Sequence, residues 1–459
     1  MSFLSFTVTT RSRASLTALR EVGSSLKARS YAAQAKGGSV KQNVQGYKGG
    51  KNQKLTKKQQ RLEAMRNNKS PGVRLRPTPP SQLKHELFQS QRLDELMLPD
   101  FNAEELTERN LGKAMAFPLP ENDAVRVFGV PRNVLLDFRI LSKAASVVRD
   151  VTIKLVDRLQ AASQESSQKN RFVLSGSVGS GKSFLLIQGV EYAASAGWLV
   201  MYIPRAINLV NSSTPYSYDL RTQTYLQPLF AQRTLQRFRT VNENTLSSLV
   251  AEEKIDLHDG LSLSQGTPLI SLIDVGIKDQ TFAPTVLAAL LEALGKQTKV
   301  PVLLAVDDFQ ALFTKTAYKT PHFQTIRAWH LSMPRLIIDY ASGRKTFARG
   351  AVVGALSLSD KTYGLSQELR HALGLQPWLQ PSSYLKVAPE ITAFTKGIQI
   401  LKVPEKLNVN EAASLFEVWN KNKSFHTPGS DEVFLAKYTE SAGNPRDFVW
   451  KGLLSTLQT

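Results

Sequence analysis

Eight consecutive residues of this chain have the types and spacing of a loop that binds phosphate. They follow the pattern G-x-x-x-x-G-K-[ST] and are Gly176, Ser177, Val178, Gly179, Ser180, Gly181, Lys182 and Ser183. The apolar run Phe172–Leu174 before the loop predicts a strand, and the apolar run Phe184–Ile187 after it predicts a helix. A strand, this loop and a helix in that order are the setting in which such a loop holds a polyphosphate.

The residue types of the loop suit a nucleotide bound with Mg²⁺. Glycines allow the backbone to turn tightly around phosphates, and amide N–H groups at the helix start point at the phosphate oxygens. We expect Lys182 to bind the β- and γ-phosphates and the Ser183 hydroxyl to bind Mg²⁺. Phe184, which continues the loop into the helix, is a further predicted cofactor contact. The alternative is a glycine-rich turn without a ligand.

A second candidate element is the apolar run Val302–Val306, which is followed by Asp307 and Asp308. The run predicts a fully buried parallel strand, and ligands of open α/β sheets collect at the carboxyl ends of such strands. We expect Asp307 to hold Mg²⁺ through water, and Asp308 is a candidate catalytic group that could polarise an attacking water. Many AAA+ nucleotide-hydrolysing machines have the longer Glu at that position. The alternative is an ordinary strand that ends at two solvated acids.

Three further polar residues are candidates for contacting the γ-phosphate. Ser357 and Ser359 follow the predicted strand Ala351–Ala355, at the place where AAA+ proteins carry a polar sensor residue. Hydroxyls at strand ends also commonly serve turns. Arg446 begins the last predicted helix and could contact a phosphate from the C-terminal side, although a solvent-facing arginine is the commoner arrangement.

The composition excludes several kinds of site. The chain has 459 residues, no Cys and six His, which excludes disulfides, thiolate metal sites and cysteine nucleophiles. The His, Asp and Glu residues lack metal-ligand spacings such as H-E-x-x-H. No uninterrupted apolar run reaches about 18 residues, which argues against a transmembrane helix. A chain of this length can hold two or three domains.

Positive charge is concentrated at the N-terminal end. Residues 1–80 contain 17 Lys and Arg and two acids, a net charge of +15, whereas the other 379 residues have a net charge of +5. Residues 1–31 are rich in Arg, Ser and Thr, with apolar residues at helical spacing, which is typical of a mitochondrial presequence. Arg29-Ser30-Tyr31 also resembles a matrix-processing site. The alternative is a basic arm that the mature protein retains.

Residues 32–80 form a Gly-, Gln- and Lys-rich stretch that cannot bury enough apolar surface to fold alone. We predict a disordered basic arm. It either neutralises the phosphates of a nucleic acid such as rRNA or is a solvated linker. Tyr47 is its single aromatic residue beyond the presequence, so base stacking on single strands is not expected.

The rest of the sequence predicts an α/β fold of the P-loop NTPase type, with a parallel sheet flanked by helices. We expect a helical N-terminal region at 81–165, with a helical apolar period over 133–162, a nucleotide-binding domain at 166–404 and a small helical lid at 405–459. The predicted sheet strands are Arg171–Leu174, Trp198–Ile203, Val302–Val306, Ala351–Ala355 and Gly397–Val403. Predicted helices include Leu246–Glu253, Thr285–Leu294, Gln324–Ala341, Asn410–Asn420, Asp431–Tyr438 and a last helix that ends at Leu457.

Five segments in combination are similar to one known family. They are Gly176–Ser183, Trp198–Pro204, Thr240–Glu243, Leu303–Asp307 and Gly350–Ser357. From about Val130 to the C-terminus the chain resembles the death-associated protein 3 family, a component of the small subunit of the mitochondrial ribosome. The resemblance implies a P-loop fold of AAA+ lineage, a bound guanine nucleotide and a position in the small-subunit head near the large subunit. It also implies a link to apoptosis in animals.

Two features limit what the resemblance implies. Members of that family have Gly at the position of Asp308, so a catalytic carboxylate is not implied there. The guanine signature N-K-x-D is missing, because Asn420-Lys421-Asn422-Lys423 lacks the Asp. GTP and ATP, each with Mg²⁺, therefore both remain open.

Two functional classes follow from these observations. The first is a structural component of the mitochondrial small ribosomal subunit in the matrix, with little or no nucleotide hydrolysis. Such a component would contact rRNA, ribosomal proteins and the large subunit at the interface. The second is an active mitochondrial NTPase of AAA+ or signalling type that works independently of the ribosome.

Overall fold

The protein is described by a computed structural model that covers residues 96–257, 262–375, 388–424 and 429–455. The chain divides into the units Met1–Asn68 and Lys69–Thr459, and all described residues belong to the second unit. The predicted presequence (1–31), the predicted basic arm (32–80) and the start of the predicted helical region lie outside the described residues. So does Leu457, the predicted end of the last helix.

The described residues contain both strands and helices throughout. The strands are β1 Ala114–Ala116, β2 Ala145–Val147, β3 Arg171–Ser175, β4 Leu199–Ile203, β5 Ser217–Asp219, β6 Thr224–Leu226, β7 Ile255–Asp256, β8 Ser262–Leu263, β9 Val302–Val306, β10 Lys315–Lys319, β11 Thr325–Arg327, β12 Gly350–Ala355 and β13 Gln399–Lys402. The helices are α1 Ala124–Phe128, α2 Arg132–Ile140, α3 Asp150–Ala162, α4 Lys182–Ser195, α5 Pro228–Leu246, α6 Leu269–Lys278, α7 Ala283–Lys296, α8 Ser332–Ala341, α9 Gln367–Ala372, α10 Pro389–Thr395, α11 Val409–Lys421, α12 Asp431–Glu440 and α13 Pro445–Asp447. A π-helical segment, Phe448–Leu453, continues α13. None of the helices in these ranges is both long and apolar enough to cross a membrane.

A five-stranded parallel sheet forms the centre of the fold, in the order β13-β3-β12-β9-β4. Strands β4, β9 and β12 are buried along their whole length, because helices cover a parallel sheet on both faces and its strands become continuous apolar runs. All five predicted sheet strands are confirmed, with ends that differ by at most two residues. The coarse prediction of a parallel sheet flanked by helices is therefore correct.

The edge strand β4 is held by one side chain of α5. Asn242 accepts a hydrogen bond from Val200 N at 2.8 Å and donates to Val200 O at 3.0 Å. Asn242 lies at a kink in α5, with φ −106° and ψ 15°. This side-chain amide forms hydrogen bonds with backbone groups that would otherwise lack partners at the edge of the sheet. The need for these bonds is a physical reason for an Asn in the segment Thr240–Glu243.

Two predicted helices are wrong in part. Residues 324–331 do not belong to the helix that begins at Ser332, because β11 pairs antiparallel with β10, and the Thr316 hydroxyl donates to Ile326 O at 2.7 Å. Residues 247–253 are not helical either, since Ala251 N donates to Thr267 O at 2.8 Å instead of continuing α5. In both cases hydrogen bonds to distant residues replace the local helical ones.

The periodic stretch 133–162 is also interrupted. It contains α2, β2 and α3 rather than a continuous helical region. After α2, Ser142 N donates to the side chain of Asn422 at 2.9 Å, and β2 then pairs antiparallel with β1. The prediction of a helical N-terminal region is therefore wrong for 145–147 and for 114–116.

The described residues form two hydrophobic clusters. The larger one surrounds the central sheet and its helices. The smaller one joins the C-terminal helices to residues at the end of α2 and in β1 and β2, and includes Ile140, Leu141, Val147, Phe416, Trp419, Phe434, Phe448 and Val449. The C-terminal helices, predicted as a lid, thus bury their apolar faces against the end of α2 and against β1 and β2. This packing stabilises both segments together.

A pair of buried carboxyl groups joins α1 to α4. Asp123 caps α1 by accepting from Arg126 N at 2.9 Å, and it shares a hydrogen bond with the buried Glu191. Burial, followed by the charge of Asp123, raises the pKa of Glu191 to about 9. Two adjacent carboxyl groups in an apolar site cannot both ionise readily, so Glu191 is protonated at neutral pH and donates to Asp123.

We expect Glu191→Gln to change how stability depends on pH. The folded-state pKa of Glu191 is raised, so its stabilising contribution is complete below about pH 4.5 and is lost as pH rises towards 9. Relative to the wild type, the variant should gain at least about 1 kcal/mol of unfolding free energy between pH 5.5 and pH 8, because an amide donates without titrating. Urea unfolding at both pH values measures this. Glu165→Gln, at an exposed acid, is the control, and equal pH responses of the two variants would disprove the shared proton.

Candidate functional site

The loop Gly176–Ser183 connects β3 to α4, as predicted. Gly179 and Gly181 have positive φ angles of 79° and 91°, a conformation that favours glycine. A Cβ atom on Gly179 would lie 2.5 Å from Asn444 Oδ1 and 2.9 Å from Arg446 Cβ. The glycine at this position is therefore required both by its backbone angle and by the C-terminal helix that packs on the loop.

The side chain of Lys182 lies within the loop. Its Nζ donates to Gly176 O at 3.0 Å and to Ser177 O at 2.5 Å. Burial lowers the pKa of Lys182 to about 8, and the charge of Asp307 opposes this effect. A desolvated ammonium with an incomplete set of negative partners is suited to binding a phosphate.

Asp307 lies at the end of β9 and is 2% exposed. Its carboxylate hydrogen-bonds with the Ser183 side chain and accepts from Asp308 N at 2.8 Å. Burial and then the neighbouring Asp308 raise the pKa of Asp307 to about 7, which Lys182 partly offsets. The structure therefore brings together Lys182, Ser183 and Asp307, the three residues that the sequence predicts around a phosphate and Mg²⁺.

Asp308 has a different environment. Its φ of 56° is in the left-handed region, where glycine is the easiest residue to accommodate. Its carboxylate lies 3.7 Å from Arg205 Nε and shares a hydrogen bond with Ser357. Burial raises its pKa, and Arg205 lowers it. Arg205 also lies 3.8 Å from Asp360, so the carboxylate of Asp308 is held in a network of protein side chains.

Arg205 was not among the predicted site residues. It follows Pro204, the residue after β4, and lies near the carboxyl ends of the sheet strands, where ligands of α/β folds collect. Its position after a buried strand was the available signal. The predicted sensor residues are close by, since Ser357 Oγ and Ser359 Oγ are 2.9 Å apart and both residues line the same cavity as Arg205.

The first residues of the C-terminal helix α13 contact the loop Gly176–Ser183. Asn444 donates to Val178 O at 2.9 Å, and its Oδ1 accepts from Arg446 N at 3.1 Å, which caps α13. Arg446 N also donates to Gly179 O at 3.2 Å. The predicted residue Arg446 thus lies at the loop and lines the cavity, whereas Asn444 was missed although it stands two residues before Arg446.

Arg149 joins the loop to the C-terminal helices. Its guanidinium donates to Ser180 O at 2.8 Å, to Pro404 O at 3.2 Å and to Lys406 O at 3.1 Å. It also forms an ion pair of 3.3 Å with Glu411. Burial lowers the pKa of Arg149 and Glu411 opposes that effect. The available sequence signal was a single arginine within the apolar stretch around Val148 and Val151.

A cavity of about 530 Å³ extends from the loop into the space between the two hydrophobic clusters. Its volume lies in the range of pockets that hold small molecules and cofactors. The polar end contains the loop with Asp307 and Asp308, and the other end is largely apolar and includes Leu141, Val418, Trp419, Val449 and Trp450. Phe184 lines the cavity too, with its ring 5.8 Å from that of Phe138. Within the described ranges no three His, Asp or Glu side chains converge as metal ligands.

The sequence profile of the family described as mitochondrial ribosomal death-associated protein 3 matches residues 146–450, which contain the loop, the sheet and most of the C-terminal helices. The chain belongs to this family. The resemblance predicted from five short segments is thereby confirmed.

Three curated proteins similar to this family member are each called small ribosomal subunit protein mS29. The Neurospora crassa protein is 26% identical over 344 residues, which cover 72% of each chain. The Schizosaccharomyces pombe protein is 26% identical over 348 residues, 74% of this chain and 71% of its own. The Mus musculus protein is 26% identical over 260 residues, 56% of this chain and 66% of its own.

We expect Arg149→Met to destabilise the protein by about 3 kcal/mol, because removing one partner leaves the buried carboxylate of Glu411 without its counter-charge. Urea unfolding measures the effect. Arg139→Met removes an exposed arginine of α2 and should change the unfolding free energy by no more than about 0.5 kcal/mol. Similar losses in the two variants would contradict the role assigned to Arg149.

Proposed function

We propose that this protein is a structural component of the small subunit of the mitochondrial ribosome, works in the mitochondrial matrix and carries a bound purine nucleotide with Mg²⁺. Membership of the family and the names of the mS29 relatives support the ribosomal role. Ribosomal proteins, rRNA and the large subunit at the interface are its proposed partners. The basic N-terminal residues, with a net charge of +15 over 1–80, favour contact with RNA phosphates.

The convergence of Lys182, Ser183 and Asp307 at the polar end of the cavity carries the nucleotide proposal. Phosphates would bind the loop amides and Lys182, and Mg²⁺ would bind the Ser183 hydroxyl and, through water, Asp307. In sheet order the loop strand β3 and the acidic strand β9 flank β12, an arrangement that supports AAA+ lineage. The apolar end of the cavity would take the purine base of GTP or ATP.

The contacts of Asp308 favour a nucleotide that is held rather than rapidly hydrolysed. A general base must be free to accept a proton from the attacking water. Arg205 and Ser357 occupy the carboxylate of Asp308, which leaves little capacity for that role. A nucleotide bound between the two hydrophobic clusters would instead stabilise the fold by binding the native state alone.

The ribosomal role is tested by sedimentation. We expect the protein in a mitochondrial lysate to travel with the small ribosomal subunit through a sucrose gradient at low salt. Dissociating the subunits by lowering Mg²⁺ should leave the protein with the small one. Migration only as a free protein would reject the ribosomal role and favour an independent NTPase.

Lys182→Ala and Asp308→Asn distinguish a structural nucleotide from a catalytic one. Lys182→Ala should weaken GTP or ATP binding by at least about 2 kcal/mol in isothermal titration, because a charge-assisted contact is lost. At a concentration a hundredfold above the wild-type dissociation constant, nucleotide should stabilise the wild type by about 2.7 kcal/mol and the variant by less than about 1 kcal/mol. Asp308→Asn should leave binding and subunit assembly nearly unchanged.

Lys169→Ala, at an exposed lysine, is the matched control for the loss of positive charge. Wild-type nucleotide affinity in Lys182→Ala would reject the site. Loss of hydrolysis and of growth in Asp308→Asn, with normal binding and protein level, would show that turnover is the function.

A further inference from the structure

The hairpin formed by β10 and β11 exposes a positively charged face. On β10, Lys315, Ala317 and Lys319 are exposed, whereas Thr316 and Tyr318 between them are buried. Successive side chains of a strand point to opposite faces, so the two lysines lie together on the outer face of the hairpin. The inner face packs against the protein, and the outer face is left open to a partner.

The outer face carries three cations without a counter-charge. Arg327 on β11 lies directly opposite Lys315, and like charges placed opposite each other destabilise a strand pair. The chain has no acidic residue in the segment 309–338. Within the part of the chain that the structure describes, Lys315, Lys319 and Arg327 form no ion pair. A negatively charged partner would relieve the repulsion between these cations.

Positive charge continues from the hairpin towards α8. Burial lowers the pKa of His330, and so do the charges of Arg335 and Arg327, while Glu390 opposes them. The guanidinium carbon of Arg327 also lies 5.4 Å from the centre of the Trp329 ring, a cation–π contact that stabilises its position. The hairpin is thus part of a wider basic surface that would attract a polyanion.

The tip of the hairpin exposes an aromatic ring. Phe323 is 81% exposed, and its φ of 59° is rare for a bulky residue. Its neighbours His322 and Gln324 are exposed as well. Neither burial nor backbone preference accounts for a phenylalanine at this position. An exposed ring beside cations is a combination that binds RNA, because rings stack on unpaired bases while cations contact phosphates.

The inner face holds the hairpin in a fixed position. The Tyr216 hydroxyl donates to Lys319 O at 2.6 Å, and the Tyr216 ring lies 5.7 Å from that of Tyr318. The Tyr318 hydroxyl is also hydrogen-bonded to the Thr214 hydroxyl at 3.0 Å. The outer face is therefore formed before a partner arrives, which reduces the entropy lost on binding.

We propose that the outer face of the β10–β11 hairpin binds RNA at a region with unpaired bases. Lys315, Lys319 and Arg327 contact backbone phosphates, and the ring of Phe323 stacks on a base. None of these four residues lines the nucleotide cavity, so this is a separate site. The choice of rRNA as the RNA rests on the proposed ribosomal function.

The test is filter binding of the full chain to a transcript of the mitochondrial small-subunit rRNA over a series of salt concentrations. Replacing both lysines, Lys315→Ala with Lys319→Ala, should weaken binding at least about fivefold at low salt. It should also lower the slope of log affinity against log salt by about 1.5, because two phosphate contacts are lost. The basic N-terminal residues are present in every variant, so the difference isolates the hairpin.

The matched control is Lys154→Ala with Lys421→Ala, at two exposed lysines of α3 and α11 that form ion pairs. It changes the net charge equally and should keep the wild-type slope. An unchanged slope in the hairpin variant, or an equal decrease in both variants, would overturn the proposal.

The stacking contact is tested at the tip. Phe323→Ala should weaken RNA binding at least about fivefold without changing the salt slope, since stacking involves no counterion release. Phe323→Tyr retains a ring and should stay within about twofold of the wild type. Leu435→Ala, at an exposed apolar residue of α12, is the control. Wild-type affinity in Phe323→Ala would reject the stacking contact.

Two readouts separate RNA binding from other roles of the surface. Lys315→Ala should raise the urea midpoint of the free protein at low salt, because the repulsion from Arg327 is removed; a lower midpoint would show a structural role and overturn the proposal. Loss of sedimentation with the small subunit at unchanged RNA affinity would assign the surface to a ribosomal protein instead. Specific RNA binding by a chain that sediments only as free protein would support this site and reject the ribosomal role.

Discussion

The site depends on the hydrogen bonds and the ion pair of the buried Arg149 guanidinium. Removing such a group from water is unfavourable by several kcal/mol unless its donors find acceptors. Those acceptors are Ser180 O in the loop, the backbone oxygens of Pro404 and Lys406, and the carboxylate of Glu411 on α11. All of them are in place only when the loop, the segment after β13 and the C-terminal helices have their native arrangement. The loop and the C-terminal helices are therefore positioned by the same buried charge.

Burial in the protein interior also shifts the pKa values of the charged groups at the polar end of the cavity. Burial moves the pKa of Lys182 down to about 8 and that of Asp307 up to about 7. Each group is thus less fully charged than it would be in water, and each would be stabilised by an added counter-charge. A phosphate and a divalent cation are complementary to this pair. Asp308, whose pKa burial also raises, differs because Ser357 and Arg205 contact its carboxylate.

The location of the cavity connects binding with stability. It lies between the cluster around the central sheet and the smaller cluster that joins the C-terminal helices to β1, β2 and α2. A ligand there would contact both, so its binding energy would add to the folding free energy of the whole arrangement. Such coupling suits a protein that serves as a fixed part of a larger assembly, and the constrained Asp308 is compatible with that role.

The sequence alone predicted the five strands of the central sheet, the loop between β3 and α4, and the family. It also predicted that Lys182, Ser183 and Asp307 lie together. These features depend on local patterns, namely apolar runs of strand length and a glycine-rich string whose spacing has one structural use. Tertiary structure alone decided the break in 133–162, the β10–β11 pair and the roles of Arg149, Arg205 and Asn444. Each of these depends on a partner distant in the chain, such as Asn422 for Ser142 or Glu411 for Arg149. Burial and hydrogen bonding between distant segments outweigh local propensity at these positions, and no pattern along the chain encodes which segments will meet.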